Sequence, residues 1–267
     1  MMEVQPFTEA DLFAIPALQP ADWPDITPHI KYYLQSPFCN PVKVVSDEKI
    51  VGIGATISHG KTAWLAHIIV HPGHRNKGIG KFITKNLIDS LQSTHCKTIL
   101  MIATALGEPV YKSLGFEFDT EYLMFKGEKL PENFPISENI IPYNETYKNA
   151  FFALDKEVSG EDRTWRLTEN LQSAYMYISK NVLEGFYMPT LGEGLIIART
   201  EEAGKSLMEM RLKTMENAVF PTENLAALDM MKKQNFSQIR TAKRMFLGEK
   251  ISFLPLFLFN RVAGSIG

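Results

Sequence analysis

The chain reads twice in the same order, and this internal correspondence constrains its fold more than any single segment. Tyr111-Lys112-Ser113-Leu114-Gly115-Phe116 faces Met231-Lys232-Lys233-Gln234-Asn235-Phe236 at an offset of 120 residues. Met124-Phe125-Lys126-Gly127-Glu128-Lys129 faces Met245-Phe246-Leu247-Gly248-Glu249-Lys250 at an offset of 121. Ile68-Ile69-Val70 lies opposite Leu195-Ile196-Ile197, and Gly52 opposite Gly185. A duplicated α/β plan accounts for all four matches; the alternative is coincidence within two unrelated α/β halves. Gly127 to Tyr143 holds three prolines and is the expected linker, between a first domain over 1–130 and a second over 140–267.

Periodicity fills in the elements. Val42 to Val45, Ile50 to Ser58 and Thr62 to Val70 are β-branched runs separated by turns at 46–49 and 59–60, so three strands are expected. Ile79, Phe82, Ile83, Leu87, Ile88 and Leu91 recur at three- and four-residue spacings, which puts them on one face of a helix. Thr98 to Ala103 reads as a short strand, Pro109 to Leu114 as a short helix stopped by Gly115, and Phe116 to Phe125 as a strand. Beyond the linker, helices are expected over 144–158, 162–171, 201–214 and 222–233. Strands are expected over 174–179, 183–188, 194–199, 217–220 and 236–246.

The apolar share of 45% and charged share of 22% are those of a globular protein with a core of its own. A net charge of −2 lacks the electrostatic footprint of a nucleic-acid binder. Cys39 and Cys96 follow no metal-ligand spacing and read as thiols in a reducing compartment. Met1 to Leu12 has acidic residues and no apolar core, so no signal peptide is expected. The apolar run Phe253 to Phe259 is far short of the ~20 residues that span a bilayer. A cytoplasmic protein without membrane, nucleic-acid or metal partners is the expectation.

The chemistry concentrates in Val70-His71-Pro72-Gly73-His74-Arg75-Asn76-Lys77-Gly78-Ile79-Gly80. This stretch joins an apolar strand to an amphipathic helix. The first amides of a helix have no intrahelical partner and, with the helix dipole, favour an anion. Gly78 and Gly80 carry no side chain to block close approach, and Arg75 and Lys77 add positive charge. The arrangement suits a pyrophosphate. Neither the P-loop spacing nor the Gly-x-Gly-x-x-Gly dinucleotide fingerprint is present.

Arg75-x-x-Gly78-x-Gly80 after Val70-x-Pro72 resembles the acyl-CoA pyrophosphate motif of the GNAT superfamily of N-acetyltransferases. Tyr111-x-x-x-Gly115-Phe116 resembles a later motif of the same superfamily. Ala103 to Tyr111 and Gly160-Glu161-Asp162-Arg163 resemble a subgroup with a second, GNAT-like C-terminal domain. The resemblance implies tandem α/β (α+β) domains, each with a mixed, mostly antiparallel sheet flanked by helices. It also implies acetyl-CoA as co-substrate, no metal, and direct attack of a primary amine on the thioester. The acceptor would be a small-molecule or peptide amine.

On this resemblance Ile68, Ile69, Val70, Arg75, Asn76, Lys77, Gly78, Ile79, Gly80, Thr104 and Tyr111 are the expected cofactor-binding residues. The amide of Ile69 or Val70 would meet the developing oxyanion. Tyr111 matches the usual general acid for the departing thiolate. Thr104 stands seven residues before Tyr111, where many members carry Asn. His67 is the expected base, on the strand beside the thioester and facing opposite to Ile68, with His71 in the same phase. Glu108 is a further acidic candidate near Tyr111.

The second half lacks this chemistry. Arg199-Thr200-Glu201-Glu202-Ala203-Gly204-Lys205 stands where the turn should fall, with no Gly-x-Gly and two carboxylates that would repel a pyrophosphate. Met231 occupies the position of Tyr111. The second domain is therefore expected to serve as an acceptor-side wall, with Asp162 and Arg163 as candidate substrate-binding residues. The rival readings are a non-catalytic acyl-CoA sensor and an interaction protein.

Overall fold

A computed structural model describes residues 2–21 and 23–266. Compactness divides the chain into one unit of Met1–Phe118, Met245–Lys250 and Gly264–Ile266, and a second of Asp119–Arg244 and Ile251–Ala263. This differs from the contiguous division expected at 1–130 and 140–267. The final strands of the two halves are exchanged, as the topology below explains. Each unit is a mixed α/β layer structure with a mostly antiparallel sheet flanked by helices.

The first unit runs β1 (Glu3–Pro6), α1 (Ile15–Leu18), α2 (Thr27–Gln35), β2 (Cys39–Ser46), β3 (Lys49–His59), β4 (Thr62–Val70), α3 (Ile79–Leu91), β5 (Thr98–Ala103) and α4 (Glu108–Lys112). Strands β1 to β4 form an antiparallel meander, whereas β5 pairs parallel to β4. Strand β1 is too short and polar to announce itself by periodicity, and only its pairing with β2 makes it a strand. Helix α3 lies on β3 because Gly52 and Gly54 let it. A Cβ at either glycine would come within 2.7 or 2.8 Å of Ile83. The apolar stripe expected on α3 is inside: Ile79, Ile83, Leu87 and Leu91 are all buried, each contributing roughly 1.5–3 kcal/mol of transfer free energy.

The second unit contains β6 (Glu117–Lys126), β7 (Ile140–Pro142), α5 (Lys148–Ser159), α6 (Thr164–Thr168), β8 (Tyr175–Ser179), β9 (Val182–Met188), β10 (Leu195–Ala198), α7 (Glu201–Leu212), β11 (Asn217–Pro221), α8 (Leu225–Lys233), β12 (Ser237–Gly248) and β13 (Leu258–Asn260). Strands β7 to β10 repeat the antiparallel meander, and β7 lies inside the expected linker. Strand β6, from the first half by sequence, pairs antiparallel with β11. Conversely, the end of β12 belongs to the first unit beside β5. There Thr98 Oγ1 donates to the Glu249 carbonyl at 2.5 Å and the Glu249 amide donates to the Lys97 carbonyl at 3.0 Å. The segments that match at an offset of 121 residues have thus changed places.

Among the described residues no helix is long and apolar enough to cross a membrane. Cys39 and Cys96 form no disulfide.

Candidate active site

Strands β4 and β5 pair only over Thr62–Trp64 and Thr98–Leu100. Beyond that point they separate, and a cavity of about 520 Å³ opens between Leu65 to Val70 on one side and Met101, Ile102 and Thr104 on the other. The turn of Arg75, Asn76, Gly78, Ile79 and Gly80 borders it, as do His67, Val110 and Tyr111. Every expected cofactor residue except Lys77 therefore lines one cavity in the first unit.

The turn is built for an anion. Asn76 and Gly78 both have left-handed backbones, at φ 61° and 77°, a conformation that gathers amides into an anion-binding concavity. Gly78 is the N-cap of α3, and the first intrahelical bond runs from the Phe82 amide to the Gly78 carbonyl at 2.9 Å. The amides of Ile79, Gly80 and Lys81 precede that bond and are available to a ligand. A Cβ on Gly80 would meet only Val70 Cγ2, at 3.7 Å, and one on Gly78 would meet nothing within 4 Å. The first turn of α3 holds no acidic residue. Arg75 and Lys77 are exposed, and Arg75 Nε donates to the Val70 carbonyl at 3.3 Å. These residues fit a pyrophosphate.

Tyr111 is 8% exposed on α4 and lines the cavity. Burial pushes its phenol up to about 12, so it stays protonated throughout the physiological range. Thr104 Oγ1 accepts the Gly107 amide at 3.3 Å and so shapes the start of α4. Glu108 forms an ion pair with Lys112 at 2.7 Å, which accounts for it as a charge on that short helix.

The strand alternation that placed His67 and His71 in one phase is broken. Ile53 pairs with Ile69 while Ala55 pairs with Ala66, so His67 and Ile68 oppose Gly54 alone. This is a β-bulge, and His67 sits in it with φ 46°. Bulges re-aim side chains beside active sites. Here the bulge directs His67 toward α2, where Nδ1 lies 2.9 Å from the Tyr33 hydroxyl. Rings of Tyr33, His29 and Trp23 stand 5.6, 5.5 and 6.4 Å from the imidazole centroid. Tyr33, His29 and Trp23 escaped sequence reasoning because the bulge that brings them to His67 has no local signature. His71 instead caps the following turn, its Nδ1 accepting the Gly73 amide at 3.1 Å.

Two expected substrate contacts change character. Arg163 is 3% exposed, and its Nε and Nη2 donate to both carboxylate oxygens of Asp155 at 3.1 and 2.5 Å. It forms an internal ion pair of the second unit. Asp162 accepts the amide and hydroxyl of Thr164 at 3.3 and 2.8 Å, a local turn at the start of α6.

The region of the second unit that matches the cavity is filled by its own chain. Strand β13 pairs with β10, and Asn260 Oδ1 accepts the Val219 amide of β11 at 2.9 Å. The Arg261 amide donates to the Val219 carbonyl at 2.9 Å. Among the described residues, Leu258 to Arg261 thus bridge β10 and β11 at this level. Helix α7 begins with Glu201 and Glu202, and Met231 is fully buried. Asn224 seals the plug: its Oδ1 accepts the Ala227 amide at 2.9 Å and its Nδ2 donates to the Leu258 carbonyl at 3.0 Å. Asn224→Ala should therefore lower unfolding free energy by about 1–2 kcal/mol, as a lost cap and a lost buried hydrogen bond. Urea titration of the full chain measures this; an unchanged midpoint would contradict it.

Comparison with known proteins bears on the family and the fold. Residues 9–116 match the model of the acetyltransferase (GNAT) family. A soybean protein named histone acetyltransferase TAP1 is 31% identical over 75 residues, 28% of this chain and 32% of its own length. An uncharacterized N-acetyltransferase ycf52 of Pyropia yezoensis is 31% identical over 77 residues, 28% of this chain and 44% of its own. The chain thus spans less than half the length of these curated relatives. In fold alone, an acetyltransferase-like protein of Pyrococcus horikoshii matches with a TM-score of 0.83 at 20% identity, over 100% of this chain and 96% of its own. A tandem GNAT protein from the clavulanic acid biosynthesis pathway matches with a TM-score of 0.60 at 12% identity, over 93% and 98%.

Proposed function

We propose, from the match of residues 9–116 to the model of the acetyltransferase (GNAT) family, that this chain is an acetyl-CoA-dependent N-acetyltransferase acting on a primary amine. The observation that carries the proposal is the cavity between the separated ends of β4 and β5, with an anion-binding turn bordering it and a buried tyrosine in its wall.

The amides at the start of α3 hold the pyrophosphate, with Arg75 and Lys77 adding charge at the rim. The edge of β4 at Ile68 to Val70 lies along the thioester arm, and the amide of Ile69 or Val70 donates to the carbonyl oxygen as negative charge grows there. Thr104 lies along the same arm on the β5 side. The amine attacks in its unprotonated form, with both substrates bound together. Tyr111 gives its proton to the sulfur as the carbon–sulfur bond breaks, contributing about 10²–10⁴-fold to the rate.

A thermal shift with acetyl-CoA tests the reading. A ligand that binds only the folded state at 100 times its Kd adds about 2.7 kcal/mol of apparent stability. The melting temperature should rise with acetyl-CoA, and an amine panel should then release free thiol. No shift at saturating acetyl-CoA would sink the proposal if longer acyl-CoAs also failed.

A further inference from the structure

The two ring nitrogens of His67 have different surroundings. Nδ1 is 2.9 Å from the hydroxyl of Tyr33, a residue of α2 that is only 4% exposed. His67 is among the residues that line the cavity, and with Nδ1 engaged by Tyr33 the second ring nitrogen is Nε2. A bulge and a left-handed backbone coincide at His67, a conformation that disfavours a residue carrying a Cβ. Such strain marks a side chain held for a purpose.

A neutral imidazole has one N–H and one lone pair, and the partner of one nitrogen decides the state of the other. In the Tyr33–His67 contact either group could donate. A phenol, with a pKa of about 10, is far more acidic than a neutral imidazole N–H, so the phenol is the donor. The lone pair then belongs to Nδ1 and the proton to Nε2. We propose that Tyr33 is a positioning residue that holds His67 as its Nε2–H tautomer, making His67 a hydrogen-bond donor into the cavity, and that the amine substrate carries an oxygen acceptor near its nitrogen to receive it. That oxygen belongs to a carbonyl, hydroxyl or carboxylate, as in aminoacyl groups or amino alcohols, and a bare alkylamine lacks it.

The surroundings agree. Burial first, and the neighbouring His29 second, push the imidazole down to about 3. It therefore stays neutral and is a poor acceptor for the proton of an alkylammonium with a pKa near 10. Among the described residues, the titratable groups packed on it are His29 and Tyr33 of α2, while Ile53, Gly54 and Ala55 of the facing β3 carry none. No described residue lining the cavity is a carboxylate that would repel an oxygen-bearing substrate. Trp23, also in the lining, closes one side of the imidazole.

The substrate part of this inference rests on the cavity being the acyl-transfer site; the tautomer does not. The test labels the histidines of the full chain with nitrogen-15 and records long-range proton–nitrogen correlations between about pH 5 and 8, where an ordinary histidine titrates. The His67 signals are those lost in His67→Gln. Expected are a protonated Nε2, an unprotonated Nδ1 and no titration, with Tyr33→Phe shifting the Nδ1 signal. A protonated Nδ1, or a ring that titrates in this range, overturns the proposal, and the wild-type spectrum decides this even if Tyr33→Phe does not fold.

Turnover supplies the second arm. Gln at 67 can donate a hydrogen bond but cannot act as a base. On an amine with a neighbouring oxygen, His67→Leu should lose about 10²-fold in kcat/KM, and His67→Gln much less. Equal losses would mean that donation is not the role. Bare alkylamines should be poor wild-type substrates and lose little more in His67→Leu; full activity on them overturns the substrate assignment. If wild type released no thiol with any amine, the acyl-transfer reading and the substrate assignment would fall together, and the spectrum would still decide the tautomer.

Discussion

Tyr111→Phe is expected to lower kcat by about 10²–10⁴-fold while leaving acetyl-CoA affinity nearly unchanged. The change removes one hydroxyl from a ring that packs edge-on against Phe116 at 6.1 Å, so the wall of the cavity keeps its shape. What disappears is the proton for the departing sulfur. Burial raises the phenol to about 12, and an acid works only while protonated. Tyr111 is thus competent at every pH below that value and fails only as pH rises through it. The pH profile of kcat should show no falling limb from Tyr111 between about pH 6 and 10, where an unperturbed tyrosine would begin to titrate. Steady-state kinetics of both proteins check the prediction; an unaltered kcat in the variant would remove Tyr111 from the chemistry.

Gly80→Glu should abolish the acetyl-CoA thermal shift without harming the free protein. A side chain at 80 has room, since its Cβ would meet only Val70 Cγ2 at 3.7 Å. It would carry a carboxylate into the first turn of α3, among the amides assigned to the pyrophosphate. An acidic group there stabilises an isolated helix end by about 0.3–1 kcal/mol. The free variant should therefore melt at or slightly above the wild-type temperature. With acetyl-CoA, the roughly 2.7 kcal/mol gained by wild type at 100 times Kd should vanish. Gly78→Glu tests the neighbouring position but adds backbone strain, because Gly78 has φ 77°. A Gly80→Glu protein that still shifts would move the anion site elsewhere; one that melts far below wild type would show that the turn is structural.

The contrast between the two units gives both predictions their meaning. The first unit leaves β4 and β5 apart beyond their short parallel pairing. The second inserts Leu258–Asn260 beside β10 and ties Asn260 to β11. A peptide segment satisfies those backbone groups in the second unit, and in the first the proposed acetyl-CoA would do so.

Whatever depends on neighbours in sequence was readable without coordinates. The strand over Thr62–Val70, the buried stripe of α3 and the glycine turn that starts the helix follow from local periodicity and from the conformations glycine allows. The acidic start of α7 at Glu201 and Glu202 and the apolar Met231 were equally plain. Tertiary structure alone decided the rest, because each remaining feature is a long-range pairing. The exchange of β6 and β12 leaves both strands with the same pattern they would have in place. The bulge at His67 depends on a register shift against β3, and its partner Tyr33 lies 34 residues away in sequence. Arg163 carries a motif-like neighbourhood, yet whether it met substrate or Asp155 was settled by the packing of α5 against the turn that follows it. A charge in sequence is only a capacity to pair, and burial chooses the partner.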